Sequence, residues 1–389
     1  MTPNKAHSDR IFPVALLVIT MVLAVGAGGF YWYHTSKGYQ LGIQPLPSNV
    51  ERQERVQSRS DFETVYTELG IQSLPSNVEK RVQSRLAQLS REPCYRDAVV
   101  NLARALLDAG YPREAATSLR SFVKRCGSAP EVLPLAFTGL ERINDFSGAL
   151  EVANELVEMV PASGSFRYWR ALAYRTGKSS QAIVDYMNAI QLFGDPKTVP
   201  GHVFYEWAQS YAALGRYCDA ISPIEMYVSL DPAKRRTPQT TKIISDYAEK
   251  GNCDKRYATG TARVPFAVGS NIRTLTVVVN NVAGTLILDT GATFVTITSR
   301  FAVKAKVSTE SGNQVIMKTV GGKALADIGQ ANSVSVGKAE ALDVITAVLS
   351  DDSNPFGSGI DGLLGMSFLS RFDVNLSPTG VELNAIALR

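Results

Sequence analysis

One aspartate in the C-terminal part of the chain has the surroundings expected of a catalytic carboxylate. Asp289 ends the apolar run GTLILD and is followed by Thr290, Gly291 and Ala292. Thr290 can form local hydrogen bonds, and the two small residues after it allow backbone groups to approach without obstruction from side chains. A carboxylate in this position is suited to general acid or general base chemistry.

The residue types needed for other common hydrolytic sites are missing from residues 256–389. All three histidines, His7, His34 and His202, precede this region, and so do all four cysteines. A Ser-His-Asp triad, a Cys-His pair or an H-E-x-x-H zinc site therefore cannot form within it. The run GSGIDG at 357–362 matches a dinucleotide-binding pattern, but it follows LSDDSNPF rather than a strand, so we interpret it as a chance match.

Short strands surround Asp289 in the sequence. Runs such as TLTVVVNN, FVTIT, QVIMKT, DVITAVL and GVELNAI are apolar or alternate in polarity, and clusters of Gly, Asn, Asp and Ser separate them. Over residues 256–389 this pattern predicts an all-β domain, either a closed barrel or a sandwich.

Three segments of this domain together resemble the retropepsin-like aspartic proteases. LILDTGAT at 286–293 resembles the family's D-[ST]-G-[AS] signature, and IDGLLGMSFL at 360–369 resembles the segment that packs behind the catalytic loop. Between them, KTVGGKALAD at 318–327 resembles the flap that closes over substrate. The resemblance implies a closed retropepsin-like barrel over residues 256–389 that hydrolyses peptide bonds, with no cofactor and no metal.

The resemblance also implies a role for individual residues. Asp289 would be the catalytic carboxylate, Thr290 would brace it and Gly291 would donate a backbone N–H group. The implied substrate-binding residues are Ala292, Gly321, Gly322, Leu363 and Leu364.

The implied mechanism needs a second chain. Aspartic proteolysis uses two carboxylates that share a proton, and residues 256–389 contain a single D-T-G. The resemblance therefore implies a homodimer in which each chain supplies one Asp289. Asp361 lacks a following Ser or Thr and belongs to the segment expected behind the loop. The chain departs from many viral relatives at Thr293 and Met366, where those have an acidic residue and an arginine.

The region from 92 to 255 has the periodicity of helices and a recurring phrase. Turn residues at 110, 144, 177 and 215 are each followed five positions later by alanine, in GYPREA, NDFSGA, GKSSQA and GRYCDA. Their spacing is close to the ~34 residues of a tetratricopeptide repeat (TPR). The resemblance to such repeats implies about four helical hairpins and a concave surface that binds a protein or peptide partner. Another array of helical hairpins is the alternative.

The four cysteines fall into two pairs of similar separation and show no C-x-x-C spacing. We predict disulfides between Cys94 and Cys126 and between Cys218 and Cys253. The alternative is four buried thiols. Paired cysteines favour an exported protein.

The N-terminus has the pattern of a membrane anchor. Residues 11–33 are uncharged and long enough to cross a bilayer, which needs roughly 20 apolar residues. Lys5 and Arg10, in the leader 1–10, favour a cytoplasmic leader with the rest of the chain exported. A cleaved signal peptide is the alternative, because VGA at 25–27 offers small residues for cleavage.

Residues 34–91 are polar and contain a near duplication, LGIQPLPSNVE and LGIQSLPSNVE, each followed by RVQSR. We predict that this stretch is a tether that carries the folded domains clear of the membrane. A net charge of +4 without a basic, aromatic stripe predicts no nucleic-acid partner.

The sequence thus predicts a single-pass protein of the bacterial inner membrane with its C-terminal domains in the periplasm. An all-α, TPR-like repeat domain over 92–255 would precede an all-β, retropepsin-like endopeptidase domain over 256–389. The alternative function is a non-catalytic scaffold, in which the repeats bind a partner and the barrel serves only for dimerisation.

Overall fold

The computed structural model describes residues 62–174, 177, 179–253, 257–267, 272–319, 322–349 and 355–388. The predicted leader, the predicted membrane anchor and the first part of the predicted tether, up to residue 61, lie outside these ranges. Within them, no helix is both long enough and apolar enough to cross a membrane.

Helices form the first part of the described chain. Their bounds are α1 Glu63–Leu69, α2 Ser76–Arg91, α3 Arg96–Asp108, α4 Pro112–Cys126, α5 Leu133–Arg142, α6 Phe146–Met159, α7 Gly164–Tyr174, α8 Ser179–Leu192, α9 Gly201–Ala213, α10 Tyr217–Ser229, α11 Pro232–Arg235 and α12 Pro238–Gly251. Two 3₁₀ turns, Pro130–Val132 and Pro196–Thr198, precede α5 and α9.

Four helical hairpins follow the recurring phrase of the sequence. The phrases lie at the turns of the pairs α3–α4, α5–α6, α7–α8 and α9–α10. Their alanines, Ala115, Ala149, Ala182 and Ala220, are at most 1% exposed, because each lies in the first turns of the second helix where it packs on the first. The prediction of a TPR-like array of helical hairpins is therefore confirmed.

The structure differs from the predicted tether after residue 62. Over this stretch α1 and α2 are helices that pack on the hairpins, and α2 buries Val78, Val82, Leu86 and Leu89. These side chains are three or four residues apart and therefore form one face of a helix. Arg, Gln, Ser and Lys fill the other face, which gave the segment its polar composition.

The helical region contains both cysteine pairs as disulfides. Cys94, just before α3, is bonded to Cys126 at the end of α4. Cys218, in the first turn of α10, is bonded to Cys253, two residues after α12. These are the pairs favoured by the spacing in the sequence, and no described cysteine is free.

Strands form the rest of the described chain, from residue 261 onward. Their bounds are β1 Thr261–Pro265, β2 Thr274–Val279, β3 Val282–Leu288, β4 Val295–Thr298, β5 Ser308–Thr319, β6 Gly322–Val336, β7 Ala339–Leu349, β8 Gly362–Leu364, β9 Phe372–Leu376 and β10 Gly380–Ala385. Two short helices lie among them, α13 Ser299–Lys304 and α14 Met366–Leu369.

Six strands close into a barrel. Their order is β2-β3-β8-β4-β7-β6, and the pairing of β6 with β2 completes the ring. The strand β5 pairs with β6 as an antiparallel hairpin outside this ring, while β1, β10 and β9 form a separate three-stranded sheet. The predicted fold class, a helical repeat domain followed by a closed all-β barrel, is confirmed.

The later helices and the barrel share one hydrophobic core, whereas the earlier helices enclose another. Trp207 on α9 is fully buried and lies edge-on to Phe294 of the barrel, with 6.3 Å between their ring centroids. Arg371, between α14 and β9, is 2% exposed and donates to the Ser222 hydroxyl on α10 at 3.2 Å. The later helices are therefore part of the same packed core as the barrel.

Candidate active site

Asp289 follows directly after β3, at the edge of the barrel. Behind it β8 pairs with β3 in parallel, so that Leu288 lies opposite Leu364. The Asp289 backbone N–H group donates to the Leu364 carbonyl at 3.1 Å. Two segments that lie far apart in the sequence therefore meet at the loop that carries Asp289.

The loop supplies its own hydrogen bond to the aspartate side chain. The Gly291 N–H group donates to Asp289 Oδ1 at 2.8 Å. Asp289 is half-buried, whereas Thr290 and Gly291 are exposed. A backbone donor thus orients one carboxylate oxygen, and a general base needs a carboxylate held in position.

The segment after β8 fixes the end of the loop. The N–H groups of Met366 and Ser367 donate to the carbonyls of Ala292 at 2.8 Å and Thr293 at 2.9 Å. Gly365 is required at this contact, because a Cβ atom there would overlap the Phe294 carbonyl oxygen. The predicted role of this segment, packing behind the loop, therefore has a direct structural basis.

Asp361 has a different role from Asp289. Its Oδ2 atom accepts a hydrogen bond from the Thr285 N–H group at 2.9 Å, and its own N–H group donates to the Thr285 carbonyl at 2.8 Å. These bonds hold the start of β8 against β3, at the opposite end of the strand pair from the Asp289 loop. Asp361 does not line the cavity at Asp289.

A cavity of about 410 Å³ opens in front of Asp289. Of the residues predicted to bind substrate, Ala292 and Leu363 line it, whereas Leu364 is fully buried behind the loop. Gly322 begins β6 and pairs with Thr319 at the end of the β5–β6 hairpin, and Gly321 lies outside the described residues. Met317 of this hairpin lines the cavity, which places the predicted flap beside the site.

The helical region supplies the part of the cavity that sequence reasoning missed. Ile190 and Gln191 at the end of α8, and Gly194 and Pro196 just after it, line the cavity together with Asp289. No local motif marks these residues, because their place depends on how the helices pack on the barrel. A smaller cavity adjoins it at Thr290, and helical side chains line that one too.

Two buried charged groups lie where the helices pack against the barrel. Burial raises the pKa of the Glu225 carboxyl on α10 above its ordinary value of 4.5, and the Arg236 guanidinium at 2.9 Å partly offsets this. Burial lowers the pKa of the Arg371 guanidinium, because burial disfavours the charged form of either group. This guanidinium also donates to the carbonyls of Leu342 and Tyr257. The described residues contain no cluster of His, Cys, Asp and Glu suited to a metal ion.

Comparison with known proteins agrees with this geometry for part of the chain. A family model described as aspartyl protease matches residues 275–368, which run from β2 to α14 and include the loop, the flap hairpin and β8. A search of curated proteins found no match. The barrel is thus an aspartyl protease-like domain.

Solved structures similar to the chain fall into two groups. A retropepsin-like aspartic protease from Rickettsia conorii is 25% identical and covers 32% of this chain and 99% of its own, with a TM-score of 0.27. MamA is 15% identical over 46% of this chain and 99% of its own, with a TM-score of 0.35. YrrB, a TPR protein with an unusual peptide-binding site, is 13% identical over 46% of this chain and 95% of its own, with a TM-score of 0.34.

Proposed function

We propose that the chain is an aspartic endopeptidase whose catalytic carboxylate is Asp289. The observation that supports this most is the position of Asp289 at the mouth of a cavity, half-buried, with one oxygen held by the Gly291 N–H group. The flap hairpin lies on one side of that cavity, with Met317 in its lining.

The proposed mechanism uses one Asp289 from each of two chains. One carboxylate acts as base and removes a proton from the water that attacks the scissile carbonyl carbon, while the other, protonated, donates to the carbonyl oxygen. The tetrahedral intermediate then loses its amine, as the C–N bond breaks and the nitrogen takes up a proton. Exposure of Thr290 and Gly291 supports this proposal, because the loop tip is accessible.

We further propose that the protein is exported and anchored in the membrane by residues 11–33, with a peptide or protein partner on the helical array. The two disulfides support an oxidising compartment. A reporter fused after Arg389 is expected to be active only when exported, and activity in the cytoplasm would contradict the proposal.

Cleavage of peptides by the full chain tests the proposed activity. The wild type should cleave members of a mixed peptide library, and Asp289→Asn should abolish cleavage while leaving the fold intact. Asp373→Asn is the matched control, because Asp373 is an exposed carboxylate on β9. Equal cleavage by wild type and Asp289→Asn would contradict the proposal and favour a binding function for the barrel.

A further inference from the structure

The helix α8 is attached directly to the first strand of the flap hairpin. The Asn188 amide nitrogen donates to the Gln314 carbonyl at 3.0 Å, and its amide oxygen accepts from the Ile316 N–H group at 2.9 Å. Asn188 thereby takes the place of a neighbouring strand along the free edge of β5, and it is 1% exposed. This contact fixes the end of α8 relative to the flap.

Gln191 lies one helical turn beyond Asn188 and therefore on nearly the same face of α8. It lines the same cavity as Asp289. Its Nε2 atom is buried and has no hydrogen-bond partner among the described residues. A buried amide N–H group without a partner costs stability, and such groups are rare in folded proteins. Gln191 lines the cavity while its Nε2 atom is itself closed off from solvent, so a turn of the side-chain amide would bring this unsatisfied donor to a ligand bound there.

We propose that the helical domain forms one wall of the substrate-binding cleft and that Gln191 donates a hydrogen bond from its side-chain amide to a carbonyl oxygen of the bound peptide. That the ligand is a peptide rests on the proposed peptidase function. Gln191 is then a specificity-determining residue contributed from outside the barrel.

The rest of the cavity wall indicates which peptides fit. Ile190, Ile287, Phe356 and Leu363 bring apolar side chains to the cavity, from the helices and the barrel alike. A large apolar side chain of the peptide would pack among them, while Gln191 satisfies the peptide backbone next to it. The helical wall therefore selects for an apolar side chain beside a carbonyl that remains free to accept a hydrogen bond.

Two variants of Gln191 test this assignment in the full chain. Gln191→Leu keeps the size of the side chain and removes the donor, and Gln191→Glu replaces the donor by an acceptor. The matched control is Gln181→Leu, since Gln181 lies on the same helix and is exposed. Gln191→Leu should lower kcat/KM for peptides by about three- to tenfold, as expected for one neutral hydrogen bond, with the change mainly in KM. Gln191→Glu should lower it further, because an acceptor would then face the peptide carbonyl.

Stability provides a second readout that separates a ligand-binding role from a structural one. Because the Gln191 donor has no partner among the described residues, Gln191→Leu should unfold at the same urea concentration as the wild type or a higher one. A structural residue would lose stability and activity together. Lower stability with unchanged kcat/KM would overturn the proposal.

Binding without cleavage keeps this test independent of the proposed chemistry. The probe is a mixture of synthetic octapeptides randomised at every position, and the protein is the full chain with Asp289→Asn. Addition of Gln191→Leu should reduce the retained peptide about three- to tenfold, and addition of Gln181→Leu should leave it unchanged. If the wild type cleaves nothing but retention still depends on Gln191, the cleft assignment stands and the peptidase proposal fails. If neither peptide retention nor cleavage changes when Gln191 is replaced, the cleft assignment is wrong, whether or not the enzyme is active.

Discussion

Replacement of Asn188 by leucine should free the flap strand from the helical domain. Asn188→Leu preserves the approximate volume but removes the bonds to the Gln314 carbonyl and the Ile316 N–H group. Two hydrogen bonds at about 1 kcal/mol each give a loss of at least about 2 kcal/mol in the free energy of unfolding. The loss rises toward about 4 kcal/mol if water does not reach the two backbone groups left without partners.

Amide hydrogen exchange measures this effect at the bond itself. In an antiparallel hairpin alternate residues point their N–H groups to opposite sides, so Ile316 faces α8 while Val315 and Met317 face β6. The Ile316 amide should therefore exchange much faster in Asn188→Leu, and the amides of Val315 and Met317 should stay protected.

A matched control is Asn101→Leu, since Asn101 is an exposed residue of α3. This variant should change the free energy of unfolding by less than about 0.5 kcal/mol. It should leave the exchange rate of the Ile316 amide unchanged. Unchanged exchange at Ile316 in Asn188→Leu would refute the attachment of α8 to the flap strand.

Three further perturbations test the packing around the site. Gly365→Ala should destabilise the chain by at least about 2 kcal/mol in urea unfolding, because the added methyl group overlaps the Phe294 carbonyl. Replacing Cys218 and Cys253 by serine should cost roughly 4 kcal/mol from loop-closure entropy, for a sequence separation of 35 residues. Because burial raises the pKa of Glu225, its contribution to stability is full below pH 4.5 and is lost as pH rises through the folded-state value. The unfolding free energy of the wild type should therefore fall relative to that of Glu225→Gln as pH increases above 4.5.

Each of these expectations has a control. Gly177→Ala should be nearly neutral, because no described atom outside its two chain neighbours lies within 4 Å of the added carbon. Reduction of the wild type, which also breaks the Cys94–Cys126 bond, should lower stability at least as much as the double serine variant, and equal stability before and after reduction would contradict this expectation. A stability difference between wild type and Glu225→Gln that does not change with pH would show that the carboxyl titrates alike in the folded and unfolded chain.

Local patterns predicted the elements whose residues alternate between core and solvent. The alanine of each repeated phrase predicted a tight helical hairpin, and Ala115 and Ala182 are fully buried as that requires. Most strands of the barrel were also predicted, since their apolar residues alternate. The run QVIMKT predicted only the second half of β5, because its first half, from Ser308, is polar and lies at the edge of the sheet.

The candidate site was predictable only where it is local. Asp289, Thr290 and Gly291 are adjacent in the sequence, and resemblance to a known family related them to the segment around Leu363. The helical wall was not predictable, because Gln191 looks like any glutamine near the end of an amphipathic helix. Its position depends on contacts such as that of Asn188 with β5, between residues more than 120 positions apart in the chain.

Mixing two kinds of chain tests the central claim, a catalytic site built from one Asp289 of each of two chains. Wild-type protein is held at a fixed concentration while a ninefold excess of Asp289→Asn chains is added and allowed to exchange partners. Random pairing leaves roughly one tenth of the wild-type chains with a wild-type partner, so peptide cleavage per wild-type chain should fall to about one tenth. A ninefold excess of Asp373→Asn chains should cause no such loss. Cleavage that stays constant with Asp289→Asn chains, while sedimentation shows that the two kinds of chain do pair, would contradict the two-chain site.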